Sequence, residues 1–96
     1  MPKAPDFLVH EVADTVGVVV VETVKKGSGL EGWLMAKDST LKLKSKDAIP
    51  LGHKIALKDI KKGDTIIKYG HDIGKAIANI AKGCHVHVHN VKTKRW

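Results

Sequence analysis

The 96 residues predict an all-β domain, and three observations carry that prediction. Turn signals recur about every ten residues, and no stretch keeps a helical apolar period over three turns. The third is density of β-branched side chains, greatest in Val16-Gly17-Val18-Val19-Val20-Val21-Glu22-Thr23, where crowding at χ1 disfavours helix and suits a pleated surface. Residues 1–96 read as a single domain with one core. Apolar residues make up 43% of the chain, but its aromatics are only Phe7, Trp33, Tyr69 and Trp96. Aliphatic side chains must therefore fill the interior.

Residues 1–5, with Pro2 and Pro5, read as a loose leader. Phe7 to His10 is a short strand, and Glu11 to Thr15 a turn out of it. Val16 to Thr23 is the expected central strand; its unbroken apolar run predicts burial on both faces. Lys25-Lys26-Gly27-Ser28-Gly29 closes it with turn chemistry. Gly32 to Ala36 reads as a strand, followed by a polar turn at Lys37-Asp38-Ser39. Thr40 to Lys46 alternates leucine with lysine, the pattern of a half-buried strand whose lysines face water and blunt an exposed edge. Asp47-Ala48-Ile49-Pro50-Leu51-Gly52 is a corner that delivers His53 and Lys54 to the start of a strand through Ile55-Ala56-Leu57. A histidine beside a lysine after a constrained loop can hold an anion.

An internal echo follows. Val24 to Gly27, Ile60 to Gly63 and Ile80 to Gly83 share the form apolar-x-Lys-Gly, with glycine supplying the positive φ of a tight turn. Ile60 to Gly70 and Ile80 to Asn90 are thus two copies of a turn-then-strand unit. The first copy's strand is Thr65 to Gly70. Gly70 to Gly74 reads as a turn, and Ala76 to Ile80 as a short extended piece. The second copy's strand is His85-Val86-His87-Val88-His89-Asn90, and residues 91–96 form a basic tail.

Along an ideal strand His85, His87 and His89 share one face, and Val86 and Val88 the other. Half of the chain's six histidines lie in these five positions. A neutral imidazole binds metal, accepts a proton or donates a hydrogen bond near pH 7. At a rise of ~3.3 Å per residue, neighbours in the row stand about 6.6 Å apart and the outer two about 13 Å. At most two of the three can then share one ion, the remaining ligands coming from substrate, water or another chain. The alternative is a solvated edge row with no chemistry, and Asn90, donor and acceptor at its end, favours function. No serine–histidine–acid or paired-carboxylate spacing is recognisable.

Seventeen basic against ten acidic residues give +7, a charge that attracts anions. Nucleic acid is disfavoured: the lysines are scattered, Arg95 is the only arginine, and no aromatics interleave with a basic cluster. Small anionic substrates or an acidic partner fit better. No apolar run approaches the ~20 residues of a membrane helix, and the first eight residues lack a signal-peptide pattern. A cytoplasmic setting is expected, and the single Cys84 can form no internal disulfide.

Several strings together resemble the SAF-type domain of the altronate/galactarate dehydratase family. They are Phe7-Leu8-Val9-His10, Asp14-Thr15-Val16-Gly17-Val18, Ile49-Pro50-Leu51-Gly52-His53-Lys54-Ile55-Ala56-Leu57, Ile67-Lys68-Tyr69-Gly70 with Ile73-Gly74, and His85-Val86-His87-Val88-His89-Asn90. The resemblance implies a β-clip fold and a lyase in which a proton leaves α to a carboxylate and a β group departs, water from sugar acids or sulfite from sulfolactate. It implies a larger catalytic subunit, with a divalent metal, iron, held mainly there, so that this chain is inactive alone. Carried over by position, His87 and His89 are the expected catalytic residues. His53, Lys54, His85 and Asn90 are the expected contacts to a small anionic hydroxy acid, and a homo-oligomer is compatible with the pattern. The competing reading is a non-catalytic module that recruits an anion or a partner through the same basic surface.

Overall fold

A computed structural model describes residues 4–87 and 89–92. Eleven short strands and one 3-10 turn account for its regular structure: β1 (Phe7–Val9), β2 (Val16–Val19), β3 (Thr23–Val24), β4 (Gly29–Leu34), the 3-10 turn Met35–Lys37, β5 (Ser39–Lys44), β6 (Ile49–Pro50), β7 (Lys54–Ala56), β8 (Thr65–Lys68), β9 (His71–Ala76), β10 (His85–Val86) and β11 (Val91–Lys92). The all-β expectation holds. Among the described residues no helix is long and apolar enough to cross a membrane.

The strands form a six-stranded sheet in the order β10-β7-β2-β1-β4-β5, a three-stranded sheet β11-β9-β8 and the pair β3-β6. Every ladder is antiparallel except β1 with β4. β2 is an inner strand, as its composition predicts, and it separates two apolar clusters. Val19 packs with Phe7, Val9, Val24, Leu30, Leu34, Leu43, Ile49 and Ile55. Val16 packs with Ala56, Ile60, Ile66, Ala76, Ile80 and Val86. On β7 the neighbours Ile55 and Ala56 divide the same way, because successive side chains leave opposite faces. The expected single core is therefore two, sharing β2 and β7 as a wall. Phe7 reaches the centre of the first because Gly32 lies beneath its ring; a Cβ there would sit 2.2 Å from Phe7 Cε2.

Three local expectations are corrected. The valine run stops pairing as β2 after Val19, where Gly52 N–H donates to the Val19 carbonyl and the chain turns to pair β3 with β6. Met35 and Ala36 are a 3-10 turn closed by left-handed Asp38, whose carboxylate accepts the Trp33 indole N–H at 3.0 Å. The turn read over Gly70 to Gly74 is only Tyr69-Gly70, both at positive φ, and β9 begins at His71. Asp14 explains why a tyrosine tolerates that geometry. Its buried carboxylate accepts Tyr69 N–H at 3.1 Å and Gly70 N–H at 2.8 Å, together with His10 and Glu11 N–H.

The internal echo survives as structure. Ile60 and Ile80 bridge each other, and each is followed by a turn with a left-handed glycine, Gly63 at φ +91° and Gly83 at +90°, leading into β8 and β10. Gly83 also lies against the lysine-rich edge, since Lys46 N–H donates to its carbonyl at 2.9 Å.

Candidate functional site

The histidine row is extended for only part of its length. β10 ends at Val86, His87 lies in a bend, and His89 and Asn90 form a turn. Val88 lies outside the described residues, so the valine face is represented by Val86, fully buried in the second cluster. Asn90 causes the departure. Its side-chain oxygen accepts His87 N–H at 2.9 Å, its side-chain nitrogen donates to the His85 carbonyl at 2.7 Å, and its own N–H donates to the His87 carbonyl at 3.0 Å. Expected to face substrate, Asn90 is buried and spends its amide on folding the row.

Bending the chain gathers the rings. His85 and His87 stand 5.8 Å apart and nearly parallel, close to the strand expectation. The His85 and His89 ring centroids are 4.9 Å apart where an ideal strand would spread those residues about 13 Å. The cluster also takes in a fourth ring. In the β10-β7 ladder His85 faces Ile55 and Val86 faces Lys54, so the next step sets His87 against His53. Those rings stack at 3.9 Å, and His53 Nδ1 lies 2.7 Å from His85 Nε2, one nitrogen donating and the other accepting. Sequence spacing could not reveal this, because His53 and His85 are 32 positions apart. The left-handed Gly52 corner places His53 there, with His53 N–H donating to the Pro50 carbonyl at 3.1 Å and Val19 N–H to the His53 carbonyl at 2.9 Å.

Lys54 and His53 do not point together. Lys54, first in β7, lies on the side of Val86, whereas His53, just before it, stacks on His87 on the other side. Burial, then repulsion from Lys68, pulls the Lys54 ammonium below its ordinary pKa. Its charge still reaches His87. Burial first, followed by the charges of His53, Lys54 and His89, holds His87 below the usual imidazole range. His85 is lowered by burial and by His89, His53 and His87, against an opposing pull from Asp47. These rings resist protonation. Asp47 was not among the expected site residues, yet its carboxylate accepts His85 N–H at 2.8 Å. Cys84, beside it, packs against the second cluster with its thiol pushed up by burial and by Asp47, the opposite of an activated nucleophile.

His53, His85 and His87 each offer a ring nitrogen, all within 4.8 Å of one another. Nδ1 of His87 is buried without a hydrogen-bond partner, alone in this among the described side chains. Such a donor set suits a divalent transition metal, so these residues fit the ion that the family resemblance implies. His10 and His71 take no part: His10 is exposed with its ring edge-on to Tyr69 at 4.7 Å, and His71 opens β9.

Four imidazoles from two distant segments thus meet on one strand-built domain. Comparison with known proteins makes this specific. The altronate/galactarate dehydratase SAF domain family matches residues 5–94, and the chain belongs to it. It is 57% identical over 91 residues to the (2R)-sulfolactate sulfo-lyase subunit alpha of Chromohalobacter salexigens, covering 95% of this chain and 97% of that protein. The protein of the same name from Paracoccus pantotrophus is 56% identical over 59 residues, 62% of this chain and 88% of that one. Altronate dehydratase of Bacillus subtilis is 41% identical over 76 residues, 79% of this chain but 14% of that longer protein.

Proposed function

We propose that this chain is the small, alpha-type subunit of a (2R)-sulfolactate sulfo-lyase, acting with a larger catalytic subunit and inactive without it. The observation that carries this reading is the 57% identity to a sulfo-lyase alpha subunit over 97% of that subunit's length. The reaction removes the proton α to the carboxylate, breaks the C–S bond with its electron pair leaving on sulfite, and lets the resulting enol become pyruvate. The imidazoles of His53 and His85 meet the anionic substrate at the rim of the partner's chamber, and Lys54, on the opposite face, adds positive charge that reaches the cluster through His87. His87 or His89 relays a proton, and Asn90 holds the backbone of His85 and His87 in place. A divalent metal, iron in this reading and held mainly by the larger subunit, would supply Lewis acidity when bound.

A second reading, a subunit of an altronate- or galactarate-type dehydratase, draws on the 41% identity to altronate dehydratase. Co-purifying the chain with its larger partner and assaying both chemistries decides between them. Sulfite release from (2R)-sulfolactate with no dehydration of altronate or galactarate is expected; dehydration without sulfite release would overturn the first reading in favour of the second.

A further inference from the structure

We propose that His53, His85 and His87 form a metal site belonging to this chain itself, one that takes a single divalent transition ion of the zinc or ferrous kind. The three donor atoms lie within 4.8 Å of one another, drawn from the residue before β7, from β10 and from the bend after it, and not from one run of sequence. Two of them, His53 Nδ1 and His85 Nε2, share a single proton at 2.7 Å, so at least one presents a lone pair toward the other. A shift of tautomer, moving that proton to the far nitrogen of the same ring, frees both for a cation without any charge being lost.

Nδ1 of His87 is the second, independent sign. A buried imidazole nitrogen with no partner is costly, and a metal ion is one way to satisfy it. The scaffold around the triad has the character of an outer shell. Asp47 holds the backbone N–H of His85 and Asn90 that of His87, fixing the ligand in β10 and the one in the bend after it. Neutral nitrogen donors favour zinc, ferrous or cobaltous ions over magnesium or calcium, which want oxygen. Three protein ligands leave a coordination position open, the arrangement of catalytic rather than structural metal sites. With His87 engaged, the proton-relay role falls to exposed His89, whose ring lies 4.9 Å from that of His85. Metal uptake stands apart from the sulfo-lyase reading; the roles left to His53, His85, His87 and His89 in turnover rest on it.

The test uses the untagged full-length chain, stripped of metal and titrated with Co²⁺, with visible ligand-field bands as the readout. Saturation at one ion per chain is expected. His53→Ala, His85→Ala and His87→Ala should each weaken binding by at least the about 10–100-fold that loss of an outer-shell partner costs, whereas His10→Ala, His71→Ala and His89→Ala should leave it unchanged. His53→Gln and His87→Gln, checked by circular dichroism, replace any alanine variant that fails to fold. Absence of saturable bands, or saturation that survives both His53→Gln and His87→Gln, overturns the site. Because the bands are read on the isolated chain, their outcome is separable from that of the turnover assay: His89→Ala should keep the bands and lose sulfite release in the complex.

Discussion

His87 shows how a residue's surroundings set its chemistry. Its ring is stacked on His53, its N–H is held by Asn90, and its pKa is lowered by burial and by positive neighbours. His85 is lowered in the same direction. With both folded-state values below the unfolded one of about 6.5, the unfolded chain binds more protons as pH falls through that value. Stability of the metal-free chain is therefore complete above about pH 6.5 and declines below it until the folded-state rings protonate too. Thermal melts at about pH 7.5 and about 5.5 should show a lower Tm in acid, with a smaller difference in His87→Gln. An equal difference in the variant would remove His87 from the account. Asp14 belongs to the same scale: one carboxylate takes four backbone N–H groups from two distant turns. Asp14→Ala should cost about 1.5–3 kcal/mol or more in denaturant unfolding, as loss of a charge-assisted acceptor does.

Among the elements, the paired Lys-Gly turns offer a controlled comparison. Gly63 and Gly83 adopt nearly the same positive φ, but a Cβ on Gly63 would meet nothing within 4 Å while one on Gly83 would sit 2.4 Å from the Lys44 carbonyl oxygen. Gly63→Ala should cost only the about 1–2 kcal/mol of a left-handed alanine, and Gly83→Ala measurably more, read from equilibrium unfolding. Equal losses would mean that the contact with the β5 edge contributes nothing. The two turns were legible because glycine after lysine recurs at a fixed offset before each strand. β2 was legible because Val16, Val18 and Val19 crowd helix and suit a pleat, although Val20 and Val21, which continue the run, lie outside it. The end of the histidine row was not, since its bend depends on Asn90 reaching back to two backbone groups; asparagine's liking for turns was the signal available. Asp14 and Asp47 were invisible as well, because the amides they hold lie up to 56 and 38 positions away.

For the whole molecule, the two clusters that share β2 and β7 decide where the site falls. Val86 is buried in one cluster and Ile55, opposite His85, in the other, so the β10-β7 ladder is fixed from both faces. The imidazoles sit on a wall that cannot shift without disturbing both interiors. The strand content, the inner position of β2 and the corner before His53 all follow from local pattern, whereas the four-ring cluster follows only from the register between β7 and β10. The corner at Pro50 to Lys54 and the histidine row, two of the strings that carry the resemblance, are the segments that the ladder brings together.

The most direct measurement is kcat for sulfite release by the chain assembled with its larger subunit, compared with His87→Ala and His89→Ala in assemblies shown to be intact. A cluster that faces substrate predicts a fall of about 10²–10⁴-fold for the residue that relays the proton. Unchanged turnover in both variants would contradict it.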